Sequence, residues 1–146
     1  MQVIDLLGTV TCIDPRVFPE KIFGLNYGEV FIFRTLAGRP YPVFEEMMAL
    51  GAFNRGFDDI IIMYHTDCGA NHFDDDFIRQ DLSKSGPEVE SQVANMRLPT
   101  FKTSAEQHLR EDIAWMKKQP LMREDLVQRI KGYMFDIKTG KLQEVV

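Results

Sequence analysis

Two short segments carry the residues able to do chemistry: Cys12-Ile13-Asp14-Pro15-Arg16 and His65-Thr66-Asp67-Cys68-Gly69. They contain both cysteines of the 146-residue chain, each beside a different partner that a metal site needs. Two thiolates and one imidazole suit Zn²⁺, and three protein ligands leave the fourth tetrahedral position open for water or substrate. A structural site would be closed by a fourth Cys or His. Cys12, His65 and Cys68 therefore read as a catalytic metal site.

Blander readings exist for each part taken alone. A lone Cys12 is as readily a buried core residue, and His-x-x-Cys by itself is a weak motif. A disulfide is not expected, because Met-Gln-Val-Ile-Asp at the start has neither a basic stretch nor a long apolar run of a secretory signal. The joint occurrence, with Asp14 and Arg16 beside Cys12, favours the metal.

For the three residues to meet, two elements must end side by side. Asp59 to Tyr64 is a β-branched apolar run, the mark of a strand buried on both faces. Leu6, Leu7 and Val10 mark a second strand that exits at Cys12. Neighbouring strand ends in a parallel sheet would gather ligands from about fifty residues apart, and carboxyl ends of strands are where open α/β sheets place their chemistry. Gly69 is expected to let the chain turn sharply after Cys68, and a helix opening there would favour the thiolate.

The remaining elements follow in α/β order. Val30 to Phe33 reads as a strand. A helix is predicted from Pro42 to about Gly51, with Glu45 and Glu46 in its first turns and an apolar face at Val43, Met47 and Leu50. A helical stretch follows Asn71, Ser83 to Pro87 is a turn, and Glu88 to Met96 suits a helix. The clearest helix is Ala105 to Gln119: Ser104 and Gln107 form a capping box, Leu109, Ile113 and Met116 a core stripe, and Pro120 closes it. Ile130 to Val146 alternates loosely about Lys138-Thr139-Gly140, a final strand pair.

The predicted fold is therefore α/β: a mostly parallel central sheet of about four strands plus an antiparallel edge strand, flanked by helices, in a single domain over residues 1–146. The 45% hydrophobic content excludes disorder, and no run is long enough to span a membrane. A net charge of −5 gives no reason to expect nucleic acid as a partner. A cytoplasmic location is expected.

The paired motif resembles a known family. Cys-x-Asp-x-Arg followed by His-x-x-Cys-Gly is similar to the zinc signature of the β-class carbonic anhydrases. Pro19 to Leu25 through Gly28 to Arg34 resembles that family's segment between its first two strands, and Tyr133 to Leu142 its closing hairpin. The resemblance implies one Zn²⁺ per chain on Cys12, His65 and Cys68, with Asp14 and Arg16 as the catalytic dyad beside it. It implies attack of metal-bound hydroxide on a small linear heterocumulene, most simply reversible hydration of CO₂ to bicarbonate. Some relatives of this shape hydrolyse carbonyl sulfide or carbon disulfide, and a zinc-binding but catalytically silent member is the remaining alternative. Arg16 would also control a switch, because in the family a released Asp can close the site.

Departures from the pattern bear on substrate. The family's Arg-Asn-Ala-Gly-Gly-Arg is here Arg34-Thr35-Leu36-Ala37-Gly38-Arg39, so Leu36 and Ala37, with Gly69, are expected to line a narrower, drier pocket. Tyr64 stands before His65 where a glycine is common. Only eleven residues precede Cys12, so the family's partner-wrapping N-terminal helix is expected to be almost absent. Eleven Phe and eight Met exceed the needs of one core, which fits a homodimer or homotetramer interface. His72 is a weak candidate proton shuttle, more simply a solvated loop residue, and His108 is expected at the surface. Asp74 to Asp76 read as solvated charge near a helix start.

Overall fold

The computed structural model describes residues 6–53 and 56–146. The expectations concerning residues 1–5 lie outside these. Strands β1 (Leu7–Cys12), β2 (Val30–Thr35), β3 (Asp59–His65), β4 (Ile130–Phe135) and β5 (Leu142–Glu144) form one sheet in the order β2-β1-β3-β4-β5. The first four are parallel and β5 is antiparallel to β4, as the alternation of strand and helix patterns requires. The helices are α1 (Pro19–Phe23), α2 (Phe44–Phe53), α3 (Asp75–Ser83), α4 (Glu90–Asn95), α5 (Ala105–Lys117) and α6 (Glu124–Val127).

β3 is the centre of the core. Ile60, Ile62, Met63 and Tyr64 are fully buried, which is why its sequence is nearly continuous in apolar residues. The stripe Leu109, Ile113 and Met116 of α5 is buried in the same cluster. Gly132 on β4 makes that packing possible: a Cβ there would stand 2.5 Å from Ile113 Cδ1 and 3.2 Å from Leu109 Cγ. A side chain there would force Ile113 and Leu109 to repack.

Details of the helices differ from the sequence pattern. α2 starts at Phe44 and runs through Gly51 to Phe53, because Phe44 and Met47 anchor it in the core and outweigh the glycine. Ser104 caps α5 through Gln107 N at 3.1 Å, but the Gln107 side chain turns to Glu111 Oε1 at 2.9 Å, so the capping box is half formed. α3 begins at Asp75 with Asp74 as its cap, accepting from Phe77 N at 2.7 Å. His108 is not at the surface. It is buried, and its Nε2 accepts from the amides of Lys102 (2.9 Å) and Thr103 (3.3 Å).

Candidate metal centre

β1 and β3 run parallel with Thr11 level with Met63, so Cys12 and His65 leave adjacent strands at the same edge. The turn after β3 brings Cys68 to join them. The ligand-type atoms of Cys12, His65 and Cys68 all lie within 4.8 Å of one another, and all three residues are buried. The sulfurs are 4.0 Å apart. Two thiolates on a tetrahedral zinc, with Zn–S near 2.3 Å, stand about 3.8 Å apart. Both cysteines are free.

The imidazole fits the same picture. His65 Nδ1 meets the Thr66 carbonyl at 2.8 Å, which fixes the ring and turns Nε2 inward. Nε2 is buried with no hydrogen-bond partner, an arrangement that costs free energy unless something else satisfies it. A metal ion between this nitrogen and the two sulfurs would do so. A hydrogen bond from Cys68 pulls the Cys12 thiol down, helped by His65, while the same contact and burial push Cys68 up. Two thiolates this close repel, so both ionise together only against a cation.

Asp14 stands at the edge of the trio, with Oδ2 3.9 Å from His65 Nε2. Arg16 holds it from outside: Nε donates to Oδ1 at 3.0 Å, NH2 to Oδ2 at 2.7 Å, and the Arg16 amide to Oδ1 at 2.9 Å. These hydrogen bonds hold the Asp14 carboxyl at about 2, so it is ionised and an acceptor. Arg16 also donates to Asp67 Oδ2 at 2.8 Å and to the Asp67 carbonyl at 3.0 Å.

The loop after β2 closes one side. Gly38 has φ +75, and a Cβ on it would be 3.0 Å from Cys12 N and 3.3 Å from the Met63 carbonyl. Only glycine allows the loop to rest this closely on β1 and β3. Leu36 and Ala37 thereby line a cavity of about 380 Å³ with Ile13, Ala70, Phe73 and Ile78. Asp14 is the one charged residue among its described lining residues. A mostly apolar pocket, with Asp14 as its charged member, therefore adjoins a cluster of two sulfurs and an imidazole nitrogen.

Residues 8–142 match the family model described as carbonic anhydrase. The chain belongs to the β-carbonic anhydrase family. Beta-carbonic anhydrase 1 of Mycobacterium tuberculosis is 26% identical over 140 residues, covering 95% of this chain and 81% of that protein. Carbon disulfide hydrolase of Acidianus sp. is 24% identical over 160 residues, covering 94% and 76%. The carbonic anhydrase structure from Streptococcus mutans superposes with a TM-score of 0.81 at 31% identity, covering 96% of this chain and 81% of that one. That from Glaciozyma antarctica gives 0.84 at 26%, with the same coverage. This β-carbonic anhydrase family member thus has relatives named for two different substrates.

The structure brings Cys12, Asp14, Arg16, Leu36, Ala37, Cys68 and Gly69 to one place with His65. It does not give Gly69 the special conformation expected. The left-handed residue of that turn is Asp67, φ 54, and a three-residue 3₁₀ turn from Gly69 to Asn71 follows. Tyr64 does not line the cavity. It is buried in the core, where burial and the neighbouring Asp112 push its phenol up, and its hydroxyl donates to Asp112. His72 is exposed, with Nε2 3.9 Å from Asp67 Oδ1. The sequence reading missed Asp67 as a second anchor of Arg16; an acidic residue inside the His-x-x-Cys loop was the available signal. It also missed Arg39 and Asp112, whose 73-residue separation leaves no local signal.

Proposed function

We propose that the chain is a zinc enzyme that reversibly hydrates CO₂ to bicarbonate. The observation that carries this reading is the convergence of the buried Cys12, His65 and Cys68 donor atoms with Asp14, itself locked by Arg16, beside an apolar cavity. Cys12 and Cys68 would hold the zinc through their sulfurs and His65 through Nε2. Bound there, zinc supplies a Lewis acid that makes a hydroxide nucleophile available near neutral pH.

The protein side does the rest. Asp14, kept ionised by Arg16, accepts a hydrogen bond from the attacking oxygen and leaves its lone pair aimed into the cavity. Arg16 keeps that carboxylate from swinging onto the metal. Ile13, Leu36, Ala37 and Phe73 line the cavity with apolar surface and would hold an uncharged linear substrate without offering competing hydrogen bonds.

The apolar lining favours a second reading, hydrolysis of carbonyl sulfide or carbon disulfide, as in the relative named carbon disulfide hydrolase. A zinc-binding but inactive protein would have no use for the Asp14–Arg16 pair. We further propose one domain across residues 1–146, a cytoplasmic setting that keeps both thiols reduced, and assembly as a homodimer or homotetramer. Exposed Ile13, Leu36, Phe73 and Phe77 near the cavity mouth support assembly. No helix among the described residues is long and apolar enough to cross a membrane. Parallel assays of zinc-loaded protein with CO₂ and carbonyl sulfide test the function. Turnover of neither substrate by protein holding one zinc per chain would overturn the enzymatic reading.

A further inference from the structure

Behind the cavity wall lies a buried polar network joining three elements. The Arg39 and Asp112 side chains are 8% and 3% exposed. They meet as a fork: Nε donates to Oδ2 at 2.5 Å and NH2 to Oδ1 at 2.9 Å. The Tyr64 hydroxyl donates to the same Oδ2. Arg39 NH1 reaches the Thr100 carbonyl at 3.4 Å, and Thr35 Oγ1 donates to the Arg39 carbonyl at 2.7 Å. The rings of Tyr41 and Phe101 face the guanidinium at 5.5 and 5.8 Å.

The positions of these residues matter more than their number. Arg39 directly follows Leu36–Gly38, the wall that rests on the Cys12 backbone. Thr100, with Pro99, also lines the cavity. Tyr64 immediately precedes His65 on β3, and Asp112 sits in the middle of α5. One carboxylate therefore ties the rigid helix to the wall loop and to the strand that ends in His65.

Stability is a poor reason for such a network. A buried ion pair loses its hydration, and apolar side chains of the same volume commonly hold a fold as well or better. What a bidentate Arg–carboxylate fork adds is a fixed distance and orientation, which apolar contacts do not enforce. We propose that Arg39 is a positioning residue: through its fork with Asp112, completed by Tyr64, it sets the Leu36–Gly38 wall against the metal centre and thereby controls turnover. This inference rests on the enzymatic reading above.

The test compares Arg39→Lys, Asp112→Asn, Tyr64→Phe and the apolar triple variant Arg39→Met/Tyr64→Phe/Asp112→Leu in the full chain. Zinc content, melting temperature, and kcat and KM for CO₂ and carbonyl sulfide are measured, with turnover expressed per zinc-loaded folded chain. Arg39→Lys, which keeps the charge and loses the fork, should retain zinc but lose kcat by roughly 10- to 100-fold, the scale of a misplaced substrate. Tyr64→Phe leaves the fork intact and should lose less than Asp112→Asn. The triple variant should melt at or above the wild-type temperature and still turn over slowly.

Recovery of full kcat with stability in the triple variant would show that the network only supports the fold, and overturns the proposal. If the triple variant does not fold, Arg39→Lys decides: wild-type kcat overturns the proposal, and reduced kcat at unchanged zinc content supports it. Wild-type protein that binds zinc but converts neither substrate removes the enzymatic reading and this role with it, a failure visible before any variant is made.

Discussion

Arg16 and Asp67 meet across 51 residues of sequence, with NH1 2.8 Å from Oδ2 and NH2 3.0 Å from the Asp67 carbonyl. Arg16 is thus held on one side by the residue before Cys68 while it holds Asp14 on the other. The two cysteine loops are stapled together through a guanidinium.

The two contacts are unequal, and their magnitudes separate them. Both Arg16 and Asp67 are about half exposed, with side chains 46% and 53% accessible, so solvent screens their pairing and it contributes little. Asp67→Asn should therefore lower kcat/KM no more than about fivefold. Arg16→Ala removes the guanidinium from Asp14, leaving only the residue-16 amide on Oδ1, and should lose roughly 10²-fold or more while keeping zinc. A loss under tenfold in Arg16→Ala would show that the pair has no part in turnover.

Metal content tests the donor set. Purified wild-type protein should carry close to one zinc per chain, and Cys68→Ala, which leaves one thiolate and one imidazole, should lose nearly all of it. Elemental analysis reads this directly. Full retention in Cys68→Ala would mean that the zinc sits elsewhere.

Most of the site was legible in the sequence because its chemistry is local. Cys12 with Asp14 and Arg16, and His65 with Cys68, each lie within one turn of chain, and the buried run before each fixes where a strand ends. The parallel pairing of β1 with β3 then brings the two halves together with no further information. His108 was misread, and the polar role of Tyr64 went unseen, for a different reason. Each makes its decisive contact through a partner remote in sequence or by a polar atom turned into the core, and neither leaves a period or motif. The short helices α1 and α6 went unseen because tertiary packing, not a repeating apolar stripe, holds four or five residues helical.

His108 makes stability depend on pH. Its Nε2 accepts from two backbone amides, a role open only to the neutral ring, and burial with the Arg39 guanidinium pushes its pKa below the ordinary value near 6.5. Glu111 and Asp112 work in the opposite direction and are outweighed, while Lys102 adds to the depression. Because the folded state holds the lowered pKa, the unfolded chain binds the proton first as pH falls. The contribution is complete above about 6.5 and is lost below it, down through the folded value. Melting curves from pH 8 to 5 should fall more steeply for wild type than for His108→Gln. Parallel curves would show that His108 does not titrate across this range.

The loop Leu36-Ala37 provides the test of substrate choice. Leu36 lines the cavity yet is 59% exposed, so its side chain stands at the mouth, whereas Ala37 is buried deeper at 4%. Ala37 also holds φ 60, a left-handed conformation that costs a non-glycine residue about 1–2 kcal/mol. Ala37→Gly relieves that cost while removing a methyl from the lining, so the fold should tolerate it. Leu36→Ala with Ala37→Gly opens and wets the pocket, which eases departure of charged bicarbonate more than entry of apolar carbonyl sulfide. An apolar change of this size is worth ~1–3 kcal/mol in discrimination, so the ratio of kcat/KM for CO₂ over carbonyl sulfide should rise roughly tenfold or more. Tyr64 offers no alternative, because its ring is in the core and its hydroxyl is committed to Asp112. An unchanged ratio would move the determinant to other residues that line the cavity, such as Phe73 and Ile78.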